Sequence, residues 1–327
     1  MERTAKQIHN LIINAQNIVL VPHQNPDGDA LGSVSSFSYY LISLNKRHYI
    51  FCATPASSKL QTLPHLIEPN NSLEIWKTQP DLIIVLDSGD LKYAGIDQII
   101  SNLTHEYLII NIDHHNSNTN FGQHNLVIKN ASATAEVLYH FYKYNNINID
   151  KNMALSLLTG LITDTDNFTN GATNTSSLKI ASELIHRGAN FNFLKNWFIK
   201  DKSILALKLW GTVLSRLSKH EELDIVYTYL TKNDFNNLEI NENEIEGIAN
   251  FLNNLGEGRA SLILKELSNK KIKGSLRTTN DNIDVSVIAK TLGGGGHKKA
   301  SGFVLEGTLE EVLKKVWEAV AKSEKKK

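Results

Sequence analysis

The sequence contains very little cysteine: Cys52 is the only one among 327 residues. A single cysteine excludes an internal disulfide and a structural zinc site built from several thiolates. It fits a reducing compartment, and we interpret Cys52 as a small apolar side chain buried in a core.

The chain also lacks an excess of charge and any long apolar run. Its 34 basic and 34 acidic residues give a formal charge of zero, so we expect no global attraction to nucleic acid or membrane. No apolar run reaches the roughly 20 residues that cross a bilayer, and the first sixteen residues do not resemble a signal peptide. We therefore expect a cytoplasmic protein, and the length suits two domains.

A polar turn rich in metal-ligating side chains follows the first apolar run. Residues 18–21 predict a short buried strand, and His23, Asp27 and Asp29 stand shortly after it. Sites in open α/β sheets are built where strands end, and carboxylates with one imidazole suit a divalent cation. Asp27 and Asp29 could equally serve only to cap the next helix, so this stretch alone leaves both interpretations open.

Three later segments end in the same kinds of side chain. Two of them, residues 82–86 and 107–112, have the apolar character of buried strands, whereas residues 155–163 are more helical. The ligand-type residues that follow them are, in order, Asp87, then Asp113, His114 and His115, and finally Asp164. One acidic strand end is common, but an ordered series favours a metal site over four unrelated caps.

In this order, the four motifs resemble those of the DHH phosphoesterase superfamily, whose name is the triplet at residues 113–115. The resemblance implies two Mn²⁺ ions, with Mg²⁺ or Co²⁺ as substitutes, held close together by a shared carboxylate. One ion would be held by His23, Asp27 and Asp87, and the other by Asp29, Asp87, His114 and Asp164. The catalytic residues that the resemblance implies are Asp87, His115 and Asp113. Asp87 would bridge the two ions, and His115 would contact the phosphate or protonate the leaving group. Asp113 would orient the neighbouring histidines.

One position departs from the family pattern. The fourth motif usually reads Thr-Asp-Thr-Gly, whereas Asp166 stands here in place of the glycine. A carboxylate there could alter the local turn or add negative charge near the ions, which affects the expected substrate preference more than the ligand role of Asp164. The histidines outside the motifs lack this strand-end context, and we interpret them as surface or structural residues.

Strands that alternate with helices predict a mainly parallel sheet flanked by helices over residues 1–190, the expected DHH domain. We expect a helical connector at residues 191–221. An alternating strand then opens a smaller α/β domain over residues 222–327, with the active site in the cleft between the two domains. Within this second domain we expect helices at 242–255 and 285–292 and strands at 260–267 and 272–276.

A run of four glycines at residues 293–296, followed by His297, resembles the glycine-rich signature of the DHH-associated C-terminal domain. Consecutive glycines let backbone amides converge on an anion. The substrate contacts that this resemblance implies are Gly294, Gly295, Gly296, His297 and Ser301, with Arg277 as a bidentate fork for a terminal phosphate. Residues 259–299 contain nine basic and three acidic residues, so positive charge is concentrated around this motif.

The combination of the two domains resembles the nano-RNase and 3′-phosphoadenosine 5′-phosphate phosphatase branch of the superfamily. We therefore expect a two-metal phosphoesterase that converts short oligoribonucleotides, linear dinucleotides or 3′-phosphoadenosine 5′-phosphate to mononucleotides. The alternatives are a RecJ-type single-strand exonuclease, an inorganic pyrophosphatase and a nucleotide sensor without turnover, which the intact carboxylates disfavour. We expect short single-stranded RNA or a nucleotide as partner, with no duplex and no membrane; the sequence leaves open a homodimer, the cellular metal and the preferred substrate.

Overall fold

The computed structural model describes residues 1–199, 204–234, 248–252, 255–267, 270–280 and 282–324. The chain divides into two compact units, Met1–Phe198 and Ile199–Lys327. Most of the helix expected at residues 242–255 lies outside the described residues. Within the described part of the chain, no helix is long and apolar enough to cross a membrane.

The first unit is built on a five-stranded sheet in which every pairing is parallel. Its strands are β1 (Ile18–Pro22), β2 (His48–Ile50), β3 (Leu82–Leu86), β4 (Leu108–Asp113) and β5 (His124–Val127). Their spatial order is β2-β1-β3-β4-β5. The predicted α/β class with a mainly parallel sheet is confirmed.

Helices cover this sheet. They are α1 (Glu2–Asn14), α2 (Gly28–Ser43), α3 (Ser58–Gln61), α4 (Asp97–Ser101), α5 (Thr134–Tyr144), α6 (Lys151–Asp164), α7 (Thr175–His186) and α8 (Phe191–Ile199), with a 3-10 helix at Leu73–Thr78. Successive strand residues point to opposite faces, so Ile18 and Leu20 join one core and Val19 and Val21 join another. Burial on both faces explains why the strands are continuous apolar runs in the sequence.

Two of these helices, α2 and α6, approach each other closely because glycines face the neighbouring helix. A Cβ atom on Gly32 would lie 2.4 Å from the carbonyl oxygen of Ser156, and one on Gly160 would lie 2.4 Å from Oδ1 of Asp29. The position of Gly32 against α6 is that of a packing residue. The close approach brings the first turn of α2 near the last turn of α6.

The second unit contains a six-stranded mixed sheet in the order β10-β11-β9-β8-β7-β6. Its strands are β6 (Ser218–His220), β7 (Ile225–Leu230), β8 (Ala260–Glu266), β9 (Lys271–Arg277), β10 (Gly295–Gly296) and β11 (Ala300–Glu306). The β7–β8 pair is parallel, and the other pairs are antiparallel. The helices described in this unit are α9 (Ile204–Ser215), α10 (Ile248–Phe251), α11 (Val285–Thr291) and α12 (Leu309–Glu324).

Four strands were not predicted from the sequence. β5, β10 and β11 were missed, and β6 lies in the segment 191–221 that we expected to be a helical connector. β6 is short and polar, and β11 begins with the small residues Ala300, Ser301 and Gly302, which are weak strand formers. Both form because an existing strand, β7 or β9, pairs with them.

Candidate metal centre

Three neighbouring strands of the first unit end at the same level. The last residues of β1 and β3 pair as Pro22 with Leu86, and Leu86 pairs in turn with Ile112 of β4. Because the strands are parallel, the next residues along the chain emerge side by side at one edge of the sheet. These residues are His23, Asp87 and Asp113.

Asp87 lies at the centre of this group. Its Oδ2 is 3.7 Å from Nε2 of His23, which is also 3.7 Å from Oδ2 of Asp27. Its Oδ1 is 3.7 Å from Nε2 of His114, which is 3.3 Å from Oδ2 of Asp164. The two oxygens of one carboxylate therefore face two different sets of metal-ligating side chains.

The six residues predicted as metal ligands are brought together in this unit. Their ligand atoms form groups whose members lie within 4.8 Å of one another. One group consists of His23, Asp27 and Asp87, a second of Asp29, His114 and Asp164, and a third of Asp87, Asp113, His114 and His115. Asp87 and His114 each belong to two groups, so the groups are continuous. Carboxylate and imidazole donors of this kind suit a divalent cation.

Asp27 combines the two roles between which the sequence did not discriminate. Its Oδ1 accepts the backbone N–H groups of Asp29 and Ala30, both at 3.0 Å, and so caps the start of α2. Its other oxygen, Oδ2, faces His23. Capping through one oxygen thus leaves the second free to act as a ligand.

Residues that the sequence analysis did not single out hold two of these candidate ligands, Asp29 and Asp87. The fully buried Asp29 accepts the backbone N–H groups of Thr134, at 2.5 Å, and of Ala135, at 3.0 Å. The Thr134 hydroxyl donates to Oδ1 of Asp87 at 2.8 Å. The segment around Thr134 contains no strand end and no imidazole, so the pattern that identified the ligands could not identify it.

The two histidines of the triplet are held differently. Nδ1 of His114 donates to the carbonyl oxygen of Ala131 at 3.2 Å, which leaves Nε2 directed at Asp87 and Asp164. Nδ1 of His115 donates to Oδ1 of Asp113 at 2.7 Å. The expected orienting contact of Asp113 is therefore made with His115, whereas a backbone carbonyl group orients His114.

Asp113 is in turn held by an amide that the sequence analysis missed. Asp113 is fully buried, and its Oδ2 accepts a hydrogen bond from Nδ2 of Asn118 at 2.5 Å. The Oδ1 of Asn118 in turn accepts a hydrogen bond from Nδ2 of Asn111 at 2.9 Å. Asn118 stands three residues beyond His115, and this spacing is the one local signal that could have indicated it.

The electrostatics of the group favour cation binding. Burial, together with the charge of Asp87, raises the pKa of Asp164 to about 8, and burial raises the pKa values of Asp29 and Asp87. Burial disfavours a charged His23, but its contacts with Asp27 and Asp87 prevail and raise its pKa to about 9. The raised pKa values of Asp29, Asp87 and Asp164 favour their protonated forms when no cation is present, whereas burial of Asp27 is outweighed by contacts with His23, which lower its pKa. Divalent cations could replace the bound protons. The donor set fits a metal.

His115 has a different electrostatic environment because its main partner is Asp113. The hydrogen bond that His115 donates to Asp113 outweighs burial and raises the pKa of His115 to about 9. The contacts of Asp113 with His115 and Asn118 outweigh its own burial and lower the pKa of the Asp113 carboxyl. His115 is therefore a cation at neutral pH, and its side chain is 38% exposed.

Asp166 has a backbone conformation that favours glycine. Its φ is 50°, in the left-handed region, and Asn167 and Phe168 continue there with φ of 57° and 63°. Asp166 is half-buried, which raises the pKa of its carboxyl, and it belongs to none of the three ligand groups among the described residues.

The residues predicted to contact substrate lie around one hairpin of the second unit. Gly295 and Gly296 form β10 and pair with Gly302 and Ser301 of β11. The glycine run is thus partly strand, and a Cβ on Gly294 would lie 2.1 Å from the carbonyl oxygen of Gly302. The close approach of two backbones explains a glycine at position 294 without reference to a ligand.

The side chains near this hairpin differ in exposure. His297 is exposed at the turn, where its backbone N–H donates to Ala300. Arg277 ends β9 opposite Ala300, and its burial lowers the pKa of the guanidinium. Ser301 is buried, and its hydroxyl donates to the carbonyl oxygen of Val285 at 2.7 Å. The structure thus brings Arg277 and His297 to the same end of the hairpin and gives the Ser301 hydroxyl an internal partner.

Both units match known proteins. The model of the DHH family, N-terminal domain, matches residues 17–161, and the model of the DHHA1 domain matches residues 222–322. The bifunctional oligoribonuclease and PAP phosphatase NrnA of Thermus thermophilus is 29% identical over 306 residues, which cover 93% of this chain and 89% of NrnA.

Two further proteins are similar to this chain. A probable manganese-dependent inorganic pyrophosphatase of Streptococcus thermophilus is 28% identical over 239 residues, which cover 70% of this chain and 68% of that protein. The crystal structure of an exopolyphosphatase-related protein from Bacteroides fragilis superimposes with a TM-score of 0.88 at 26% identity and covers 98% of this chain and 96% of that one. The last similarity extends over both units.

We predict that the metal-free protein loses stability as the pH rises from about 6.5 to about 9. His23 and His115 have pKa values of about 9 in the folded chain, above the ordinary value of about 6.5, so their protonation favours folding below pH 6.5 and this contribution is lost toward pH 9. Asp164, with a raised pKa of about 8, acts in the same direction. The melting temperature in a chelator should fall by several degrees over this range.

Excess Mn²⁺ should reverse the trend, because ligand deprotonation then favours the bound state. The measurement is differential scanning calorimetry at pH 6.5, 7.5 and 9, with chelator and with Mn²⁺. A metal-free melting temperature that rises with pH, or a Mn²⁺-induced increase that shrinks with pH, would show that these groups do not form a cation site.

Proposed function

Because this chain belongs to the DHH family of phosphoesterases and carries a DHHA1 domain, we propose that it is a manganese-dependent enzyme that hydrolyses short oligoribonucleotides, linear dinucleotides and 3′-phosphoadenosine 5′-phosphate to mononucleotides. The observation that carries the proposal is the position of Asp87, whose two carboxylate oxygens face different imidazoles. A carboxylate shared in this way supports a pair of cations.

In this proposal, His23, Asp27 and Asp87 hold one Mn²⁺, and Asp29, Asp87, His114 and Asp164 hold the other. Such ions would neutralise the phosphate oxygens and lower the pKa of the attacking water. The manganese-dependent relative supports the choice of metal. Mg²⁺ and Co²⁺ offer comparable preferences for oxygen and nitrogen donors and are the expected substitutes.

His115 supplies the remaining chemistry from the chain itself. It is partly exposed, and the hydrogen bond from its Nδ1 to the buried Asp113 raises its pKa and favours the protonated ring. Its Nε2 can therefore donate a hydrogen bond to a phosphate oxygen or a proton to the departing oxygen. Asn118 keeps Asp113 in the orientation that this role requires.

We assign metal binding and catalysis to residues 1–190, a connector to residues 191–221 and substrate binding to residues 222–327. In the last segment, Arg277 and His297 are the proposed phosphate contacts, supported by the position of His297 in the turn of the β10–β11 hairpin and of Arg277 at the end of β9, opposite Ala300. Guanidinium matches a terminal phosphate through two parallel hydrogen bonds. The glycines of the hairpin add backbone amides near the same place.

Short ligands are favoured by the distribution of charge. A groove for long strands gains affinity from many phosphate contacts and from a series of stacking aromatic side chains. This chain has a formal charge of zero and concentrates its basic residues in the segment 259–299. The DHHA1 match and the similarity to an oligoribonuclease support the same substrate class over inorganic pyrophosphate.

We predict that, with Mn²⁺, turnover per enzyme is highest on oligoribonucleotides of about two to five units and falls with length. The assay compares labelled RNA of two, five and about 25 units with 3′-phosphoadenosine 5′-phosphate and inorganic pyrophosphate in parallel. Equal or faster processive degradation of the longest strand would favour the RecJ-type exonuclease. Preferred hydrolysis of pyrophosphate would favour the pyrophosphatase, and no hydrolysis of any substrate would favour a sensor.

A second prediction concerns the separation of substrate binding from metal binding. Arg277→Ala should raise KM for substrates with a terminal phosphate by about 10- to 100-fold, because a charge-assisted contact is lost, and it should leave the Mn²⁺ content unchanged. The matched control is Lys273→Ala, which removes an exposed positive charge from the same strand. Loss of Mn²⁺ from Arg277→Ala, or equal KM values in the two variants, would contradict the assigned role.

A further inference from the structure

We propose that residues 131–136, here named the clamp segment, position the metal ligands, with Thr134 fixing the carboxylate of Asp87. Three of the ligands contact this segment. The N–H groups of Thr134 and Ala135 hold both oxygens of Asp29, and the carbonyl group of Ala131 holds His114. Residues 131–136 lie outside the four motifs that supply the candidate ligands, so the segment is a separate part of the site.

The clamp segment is itself anchored by a buried acid. Oε2 of Glu136 accepts the backbone N–H of Ser132 at 2.8 Å and its hydroxyl at 2.7 Å. Glu136 is 4% exposed and Ser132 is 1% exposed. Because a buried carboxylate is costly unless it is hydrogen-bonded, the pair holds the turn before α5 in one conformation.

Helix α5 and Asp29 also determine each other's position. Ala133, at the N-cap position of α5, offers no side-chain acceptor. The N–H groups of the first turn are instead satisfied by Asp29, which stands 105 residues before Thr134. A Cβ on Gly160 would lie 2.4 Å from Oδ1 of Asp29 and 2.8 Å from Cβ of Ala135, so α6 closes on the same carboxylate from another side.

The Thr134 hydroxyl is the group of the clamp segment that contacts the carboxylate of Asp87. It donates to Oδ1 of Asp87, the oxygen that faces His114, while Oδ2 faces His23. A hydrogen bond to one oxygen restrains rotation of the carboxylate plane, so it keeps one oxygen directed at His114 while the other is directed at His23. Without the hydroxyl, the carboxylate could turn to orientations in which its two oxygens no longer face both groups of ligands.

This inference rests on the two-ion site proposed above, and Mn²⁺ binding tests it without any substrate. Thr134→Val removes the hydroxyl but keeps the backbone N–H that holds Asp29. Isothermal titration calorimetry of the metal-free chain should show at least one Mn²⁺ dissociation constant raised by about 10-fold or more, the usual cost of losing a group that orients a ligand. Thr134→Ala, which adds no bulk, should show the same loss, and Thr134→Ser should retain the affinity of the unmodified chain.

The matched control is Thr228→Val, since Thr228 is a buried threonine of the second unit whose hydroxyl bonds the carbonyl oxygen of Val213. It should bind Mn²⁺ normally. Normal binding by both Thr134→Val and Thr134→Ala, or equal losses in Thr134→Ser and Thr134→Val, would overturn the inference alone. An unmodified chain that bound no Mn²⁺ would overturn the proposed function as well.

Discussion

Burial of the Asp87 carboxylate is the constraint on which the candidate site depends. Asp87 is 2% exposed and has a φ of 62°, a left-handed conformation that costs a residue other than glycine about 1–2 kcal/mol. A carboxylate buried among other carboxylates adds a further cost unless its charge is compensated. The fold tolerates both costs because His23, His114 and Thr134 surround the two oxygens and because the paired ends of β1, β3 and β4 fix the backbone.

The close packing of α2 against α6 brings two further carboxylates near Asp87. Asp29 begins α2 and Asp164 ends α6, so the two carboxylates approach Asp87 only if the helices lie very close together. Gly32 and Gly160 permit that approach, since a side chain at either position would meet a backbone or ligand oxygen at 2.4 Å. The candidate ligands are thereby held at the ends of β1, β3 and β4, at the start of α2 and at the end of α6, and such rigidity is what a preorganised site requires.

The sequence pattern indicated the candidate ligands but not the groups that hold them in place. Each ligand follows a strand or stands at a helix end, and such ends are visible in a local apolar pattern. The groups that hydrogen-bond to the candidate ligands are largely backbone N–H and C=O groups of the clamp segment. The residue types in a sequence do not reveal which backbone groups point at Asp29. Strands β6 and β11 were not predicted for a related reason. Their own sequences favour strand only weakly, and they form because they pair with the neighbouring strands β7 and β9.

The central claim is that Asp87 bridges two cations, and anomalous diffraction tests it most directly. Crystals of the chain grown with Mn²⁺ would be measured on both sides of the manganese absorption edge. The account predicts two anomalous peaks about 3.5–4 Å apart, each within bonding distance of one oxygen of Asp87. A single peak, or two peaks of which only one contacts Asp87, would contradict it.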